Sequence, residues 1–211
     1  LREWVHGYTR RFADRPSVKG EAIVTHVSSS TRADPVIPFV GLAEAMVLAA
    51  VRRSGVSLQR IRPALDQLQR EIGVAHALAS RKLYTDGAEI LYDFGERPSG
   101  SEDGRALRGL VVVRNGQRVF ADVVQAYLSR IAYGADGYPE LIRVPAYEHA
   151  DVVADPTRSF GAPIFERGGV RVADVLERFW AGDTLSDLVD EFGVPADQLE
   201  DVLRVASRRA A

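Results

Sequence analysis

The first nineteen residues carry side chains suited to contacting a polyanion. Five are basic and two are acidic, which gives the segment a net charge of +3; the basic residues are Arg2, Arg10, Arg11, Arg15 and Lys19. Guanidinium and ammonium groups displace counterions from nucleic-acid phosphates, so a local cationic surface of this kind can bind DNA. A solvated basic face on an ordinary amphipathic helix is the alternative interpretation. The pattern alone leaves both open.

The spacing of the apolar residues in this segment predicts a helix. Four of them fall at positions i, i+3, i+4 and i+7: Leu1, Trp4, Val5 and Tyr8. This spacing places them on one side of an α-helix, with the polar residues Arg2, Glu3, His6 and Arg10 facing away. We therefore expect one face to pack against a core and the other to be exposed, as in a recognition helix whose predecessor lies upstream.

The other end of the chain has the opposite charge. Residues 182–203 contain no Lys or Arg and seven acids: Asp183, Asp187, Asp190, Glu191, Asp197, Glu200 and Asp201. A helical surface with this charge repels DNA and suits a protein partner. Just before it, Phe179 and Trp180 are adjacent and cannot both point into one core. An exposed aromatic here favours a protein interface, and partial burial is the alternative.

The bulk composition excludes several classes of protein. The net charge of the 211 residues is only −2, so any affinity for nucleic acid must come from a local patch. The sequence contains no cysteine, which excludes disulfides and thiolate metal sites and fits a reducing compartment, the cytoplasm. No apolar run is long enough to span a bilayer.

The sequence contains few residues or motifs that indicate catalysis. The four histidines are far apart, without metal-ligand spacing, and the common phosphate-binding and nucleophile motifs are missing. One enzymatic alternative remains: Asp155 follows an apolar run and, with Asp174 or Glu177, would form a carboxylate cluster for Mg²⁺ in a nuclease. The competing interpretation is that Asp155 and Pro156 simply open a turn. We expect no bound metal and no cofactor.

Several short β-hairpins are predicted between the two ends. Residues 22–25 and 36–39 favour extended structure around a polar loop, which predicts a wing whose loop residue Arg32 would contact a phosphate. Asp-Gly within residues 83–92 and Asn-Gly within residues 110–120 each predict a two-residue hairpin turn. We expect a central buried helix over residues 42–51, a further helix over 121–132 and extended chain over 141–154.

The last fifty residues predict three short helices. Apolar stripes recur at helical spacing, and Gly182 and Gly193 are placed to end the first and second helices. The chain is therefore expected to be mainly α with short β-hairpins, built from a winged helix-turn-helix and a C-terminal trihelical, helix-turn-helix-like module. The predicted division is residues 1–95, a middle α/β segment 96–154, and residues 155–211.

Two stretches resemble known families. Leu1-Arg2-Glu3-Trp4-Val5-His6-Gly7-Tyr8 resembles the second helix of the MerR-type winged helix-turn-helix, and residues 39–44 and 52–62 look like that family's downstream helix pair. The segment with Asp155-Pro156, Gly161-Ala162-Pro163, Gly182 and Phe192-Gly193-Val194 resembles a small domain of unknown function found in bacterial antitoxins. Together they make the chain similar to a VapB-type antitoxin.

The resemblance implies a non-enzymatic protein that binds and silences a PIN-like ribonuclease toxin and represses its own operon. Arg2, His6 and Arg10 match positions on or just after the family's recognition helix, so they become DNA candidates. The other predicted contacts are Arg11, Arg15 and Arg32 for DNA, and Phe179 and Trp180 for the toxin. A homodimer would present two recognition helices to a pseudo-palindromic operator.

Two other functions remain open at this point. A ligand-sensing MerR-like regulator without a toxin would share the DNA-binding segment. The metal-dependent nuclease would require Asp155 in an assembled carboxylate cluster.

Overall fold

A computed structural model of the protein consists of two compact units. Unit 1 comprises Leu1–Ser129 with Tyr133–Pro139, and unit 2 comprises Arg130–Ala132 with Glu140–Ala211. The structure describes residues 2–11, 16–27, 37–55, 58–96, 111–114 and 117–210. Helices dominate, and the strands form small antiparallel sheets. The three-segment division expected from the sequence stays a prediction.

Unit 1 begins with a short helix and a hairpin. Helix α1 (Arg2–His6) is followed by strands β1 (Tyr8–Arg10) and β2 (Val18–Gly20), which pair antiparallel with Thr9 opposite Lys19. Tyr8 therefore lies on a strand and not on the predicted helical stripe. Gly7 ends the helix with φ +72°, a conformation that favours glycine.

The extended structure predicted for residues 22–25 and for Phe39 is wrong, whereas Val36 and the predicted loop lie outside the described residues. Residues 22–25 form no strand, and Phe39 is the first residue of helix α2 (Phe39–Arg53). The observed hairpin lies upstream, where Tyr8 is opposite Gly20. A Cβ on Gly20 would stand 2.5 Å from the Tyr8 ring, so a larger residue there would require the ring to move.

Three helices build the core of unit 1. Helix α2 is buried along most of its length, which confirms the expected central helix, and α3 (Leu58–Ile72) packs on α4 (Arg81–Glu96). A 3₁₀ turn at Ala77–Ala79 connects α3 to α4. The buried apolar side chains of α3 are spaced at helical intervals: Leu65, Leu68 and Ile72.

Of the two hairpins predicted from turn dipeptides, one is confirmed and one is wrong. Strands β3 (Val111–Arg114) and β4 (Gln117–Phe120) pair with Arg114 opposite Gln117, as the Asn-Gly pair predicts. The segment around Asp86-Gly87, in contrast, lies inside α4. Leu83, Ala88 and Leu91 are all buried there, so helical burial outweighs the local turn preference.

Unit 2 contains a four-stranded sheet. Helix α5 (Asp122–Leu128) ends in unit 1, earlier than predicted, and strand β5 (Ile131–Tyr133) begins where the helix was expected to continue. The sheet order is β5-β6-β7-β8, with β6 (Pro139–Arg143), β7 (Val152–Ala154) and β8 (Ile164–Phe165) following in sequence. Strand β7 is buried along its full length.

Three helices follow the sheet, at the places the sequence predicts. They are α6 (Val172–Ala181), α7 (Leu185–Phe192) and α8 (Ala196–Ala210). Gly182 and Gly193 cap α6 and α7 in the left-handed conformation, and Thr184 begins α7 with a capping box to Asp187. The buried core of the unit is shared with the sheet: Ala150, Val152, Phe165, Val172, Val175, Leu188, Val194, Leu199 and Val202. Among the described residues, no helix is both long and apolar enough to cross a membrane.

Candidate functional site

Helix α1 places two of the predicted DNA contacts on one exposed surface. Val5 is 2% exposed and anchors the helix, whereas Arg2 and His6 are exposed and lie about one turn apart. Together with Glu3 and Gly7 they line a hollow of about 290 Å³. The structure thus brings Arg2 and His6 together as the helical spacing requires.

The remaining basic candidates follow the helix or lie outside the described residues. Arg10 is the last residue of β1, and Arg11 comes directly after it and is exposed. Arg15 and Arg32 are outside the part of the chain that the structure describes. The hairpin therefore carries Arg10, and α1 carries Arg2 and His6.

The end of α1 is held by backbone hydrogen bonds from the chain beyond the hairpin. The amides of Ile23 and Val24 both donate to the carbonyl oxygen of Trp4, at 2.8 and 3.0 Å. Carbonyls in the last turn of a helix lack intrahelical partners, so this contact satisfies an acceptor that would otherwise need water. We call residues 23–25 the clamp segment, because they fix the position of α1.

A buried carboxylate holds the clamp segment in turn. Glu44 on α2 is only 4% exposed, and its Oε2 accepts from the Thr25 amide at 2.6 Å while Oε1 accepts from the Thr25 hydroxyl at 3.0 Å. The Nδ1 of His76 lies 2.8 Å from that hydroxyl and 3.4 Å from Glu44 Oε1. Sequence reasoning missed this cluster, although a single acid within the apolar helix α2 was a usable signal.

Arg62 on α3 contacts the hairpin. Its Nη2 donates to the carbonyl oxygen of Glu21 at 2.6 Å, and its guanidinium lies 5.7 Å from the centre of the Tyr8 ring. A guanidinium over an aromatic face is a favourable cation–π arrangement. Arg62 thereby ties the region of the predicted DNA contacts to the core of unit 1.

In unit 2, four of the seven acids predicted to form one acidic surface have structural roles. Asp183 and Glu191 pair with Arg178 at 2.6 and 3.0 Å, and Asp187 caps α7. The hydrogen bond from the Thr184 side chain is the main cause that lowers the pKa of Asp187. The charge count from the sequence therefore overstates the free negative charge of this surface, because ion pairs and a helix cap engage part of it.

Asp201 is the fourth and is buried. It is 2% exposed, and its Oδ2 accepts from three backbone amides, those of Glu148 and His149 at 2.8 Å and of Ala150 at 3.0 Å. Its Oδ1 lies 3.4 Å from Nη1 of Arg204. Asp201 holds residues 148–150 against α8. Three acids of the stretch remain exposed without such a role: Asp190, Asp197 and Glu200.

The aromatic pair on α6 divides as the sequence predicts. Phe179 packs partly buried against the core of unit 2, whereas the Trp180 side chain is 64% exposed. A second exposed aromatic, Phe160, was not found from the sequence. It projects fully into solvent from a turn in which Ser159 and Phe160 have φ values of 46° and 54°, in the left-handed region. No local sequence pattern signals its exposure.

Two of the three carboxylates proposed for a nuclease, Asp155 and Asp174, are engaged in other contacts. The Oδ1 of Asp155 accepts from the amide and hydroxyl of Thr157 at 2.8 and 2.7 Å, and the Thr157 hydroxyl is the main cause that lowers the pKa of Asp155. Asp174 is paired with the guanidinium of Arg171. Asp155 thus opens a turn, and the described residues contain no group of three or more potential metal ligands.

Two family models match separate parts of this chain. Residues 1–65 match the model of a family described as "Putative DNA-binding HTH domain", and residues 152–206 match "Protein of unknown function (DUF433)". The chain is 49% identical over 204 residues to "Putative antitoxin VapB45" of Mycobacterium tuberculosis, which covers 96% of this chain and 85% of that protein.

A solved structure is equally similar. The crystal structure of Rv2018 from Mycobacterium tuberculosis shares 49% identity, superposes with a TM-score of 0.80, and matches 86% of this chain and 85% of its own. At this identity and coverage the similarity extends to the family and is not limited to the fold. This chain, with a DNA-binding helix-turn-helix domain at its N-terminal end, belongs to the VapB-type antitoxins.

Proposed function

We propose that this protein neutralises a PIN-like ribonuclease toxin by direct binding and represses its own operon by binding the operator DNA. The observation that carries the proposal is the separation of surface chemistry between the two units. Exposed basic residues lie on α1 and directly after β1 in unit 1, and an exposed tryptophan lies on α6 in unit 2. The protein acts by binding and not by catalysis.

The DNA-binding surface consists of α1 and the residues that follow it. Arg2 and His6 are the candidates for base contacts in the major groove, since they share the exposed face of the helix. Arg10, Arg11 and Arg15 would contact flanking phosphates, and Arg32 would contact a further phosphate. A homodimer that places two copies of α1 about 34 Å apart would read a pseudo-palindromic operator.

The toxin-binding surface lies on unit 2. Trp180 is the proposed anchor, because a largely exposed aromatic that enters a pocket of the partner removes much apolar area from water. Phe179 contributes indirectly, since it packs against the core and fixes the orientation of α6. The exposed acids Asp190 and Glu200 suit a cationic partner, and a protein that binds RNA phosphates presents such a surface.

The DNA contacts are tested by titrating the full chain with operator DNA. Replacing Arg10 and Arg11 by Ala should weaken binding and reduce the slope of log K against log salt by about two, since each lost phosphate contact removes about one unit. The double variant with Ala at Arg52 and Arg53, at the end of α2, removes the same charge elsewhere in unit 1 and serves as the control. Equal losses in both variants would contradict the assignment.

The toxin contact is tested by co-purification with the product of the neighbouring toxin gene. Trp180→Ala should abolish capture and leave operator binding intact, whereas the Arg10/Arg11 variant should retain the toxin. Tyr84→Ala removes another exposed aromatic, in unit 1, and is the matched control. Capture that survives Trp180→Ala would place the interface elsewhere.

A further inference from the structure

His26 lies beside the surface of α1 that carries the predicted DNA contacts. The ring centres of His6 and His26 are 6.4 Å apart, and the two ring planes are inclined by 51°. His6 is exposed on α1, whereas His26 is half-buried and directly follows the clamp segment. The next residue, Val27, is 57% exposed, so the chain reaches the surface at this point. The fold thus places a second imidazole next to the exposed one, from a segment beyond the hairpin.

A backbone carbonyl fixes the tautomer of His26. The Nδ1 of this ring lies 3.2 Å from the carbonyl oxygen of Val24. A carbonyl oxygen can only accept a hydrogen bond, so Nδ1 carries the proton and donates it. In a neutral imidazole one nitrogen is a donor and the other is an acceptor, so the proton on Nδ1 leaves Nε2 with a lone pair. Among the described residues Nε2 has no hydrogen-bond partner, and His26 therefore offers an acceptor to a ligand.

The clamp segment holds α1 and the His26 ring in one arrangement. The Val24 amide donates to the carbonyl oxygen of Trp4 at 3.0 Å, and the carbonyl oxygen of Val24 accepts from His26. The Val24 side chain is buried, so both bonds start from a residue anchored in the core. Side chains that are already held in place lose little conformational entropy when a ligand binds. His6 and His26 therefore form a preorganised pair on the surface of unit 1.

The acceptor on Nε2 suits a base edge and not a phosphate. Phosphate oxygens only accept hydrogen bonds, so the lone pair of a neutral His26 cannot pair with them. In the major groove, the N6 amino group of adenine and the N4 amino group of cytosine are donors. We propose that His26 is a further specificity-determining residue, which accepts through Nε2 from the amino group of an adenine or a cytosine in the operator, next to the base contact of His6. This inference rests on the proposed function.

The test measures operator binding by the full chain at pH 8, above the range in which histidines usually change charge. The probe is the DNA upstream of the protein's own gene, shortened to the duplex that the natural chain protects from nuclease digestion. Each base pair of this duplex is replaced in turn. At the pair that His26 contacts, replacement should weaken binding of the natural chain by about three- to tenfold, the factor that corresponds to one hydrogen bond. In His26→Asn the same replacement should change affinity by less than about twofold, with discrimination at the other pairs retained.

Two variants separate the base contact from the structural role of the ring. In His26→Asn the amide nitrogen, like Nδ1, is bonded to Cγ and can still donate to the Val24 carbonyl, whereas Nε2 is lost. His26→Ala loses both groups. The two variants should lose discrimination at the same base pair, and the slope of log K against log salt should stay as in the natural chain, because no phosphate contact is removed. His149→Ala removes an exposed imidazole from unit 2 and should bind the operator as the natural chain does.

The possible outcomes distinguish this inference from the proposed function. If the natural chain binds no operator, the proposed DNA function fails and the inference fails with it. If the natural chain binds and His26→Asn keeps its discrimination at every base pair, His26 reads no base, and the inference alone is refuted. A uniform loss of affinity over all sequences, with a slope reduced by about one, would indicate a phosphate contact and overturn the base contact. A loss confined to His26→Ala, with faster hydrogen exchange of the Ile23 and Val24 amides, would indicate a role in the clamp segment only and would also overturn it.

Discussion

Removal of the Asp201 carboxylate should destabilise unit 2 strongly. In Asp201→Ala the amides of residues 148–150 lose their common acceptor, Oδ2. A hydrogen bond to a charged group contributes about 1.5–3 kcal/mol. The residues Glu148 and His149 are exposed and their amides can turn to water, whereas Ala150 is buried. We therefore expect a loss of about 3–5 kcal/mol in the free energy of unfolding, less than the full sum of three bonds.

The conservative variant separates charge from geometry. In Asp201→Asn the amide oxygen can take the place of Oδ2, but the negative charge and the attraction to Arg204 are lost. We expect a smaller loss of about 1–2 kcal/mol. Glu200→Ala, at the neighbouring exposed position on α8, should change stability by less than about 0.5 kcal/mol and is the control.

Hydrogen exchange at the three amides provides a local assay. In each Asp201 variant, the free energy of opening of these amides should fall by as much as the free energy of unfolding. Chemical denaturation of the full chain should show the same loss of stability in the transition that involves unit 2. The reasoning is refuted if Asp201→Ala behaves like Glu200→Ala in both measurements.

The pH dependence of the same site has a definite sign. Burial is the largest single influence and raises the pKa of Asp201, but the hydrogen bonds from His149, Ala150 and Glu148, together with Arg204, lower it further than burial raises it. A carboxyl with a lowered pKa in the folded state contributes stability above its unfolded pKa of about 3.9, and this contribution is lost as the pH falls through the folded value. The stability difference between the natural chain and Asp201→Asn should therefore narrow below about pH 4. A difference that stays constant down to pH 2 would contradict this linkage.

Two further predictions concern unit 1. Gly7→Ala should lower the free energy of unfolding by at least about 2 kcal/mol, measured by thermal or chemical denaturation. The residue has φ +72°, and a Cβ would stand 2.3 Å from the Gly20 carbonyl oxygen. Gly55 has φ +89° and open space around it, so Gly55→Ala should cost only the conformational strain of about 1 kcal/mol. Glu44→Gln should lower the free energy of unfolding by about 1–2 kcal/mol and weaken operator binding, because the NH₂ group of glutamine cannot accept one of the two hydrogen bonds that Thr25 donates to Glu44. Unchanged hydrogen exchange of the Thr25 amide would contradict this prediction.

The local pattern predicted the hairpin around Asn115-Gly116 correctly and failed at Asp86-Gly87. Both dipeptides favour a two-residue turn, so the difference is not local. At Gly87 the chain forms a helix that packs on β4, and a Cβ would lie 2.8 Å from Leu83 Cδ1 and 3.2 Å from the Phe120 ring. Glycine serves there for close packing, and one of the two contacts depends on a residue more than thirty positions away.

The candidate site shows the same limit. Helical spacing alone correctly placed Arg2 and His6 on one exposed face, because residues four apart on a helix share a side. The same argument assigned Tyr8 to the helix, and the pairing of β1 with β2 placed it on a strand. The cluster of Thr25, Glu44 and His76 could not be found by spacing, since its members are 19 and 51 positions apart in sequence.

The sequence by itself determined the helical apolar stripes of the last three helices, the caps at Gly182 and Gly193, and the basic composition of the first nineteen residues. These features depend on neighbours within one or two helical turns, so they can be predicted without knowing the fold. The tertiary structure decided which charges remain at the surface. Asp201 and Glu200 are adjacent acids on one helix. Asp201 is buried and accepts from three amides of residues 148–150, whereas Glu200 is exposed and has no such contact in the described structure. Burial and pairing depend on what packs against a side chain, and this information lies elsewhere in the chain.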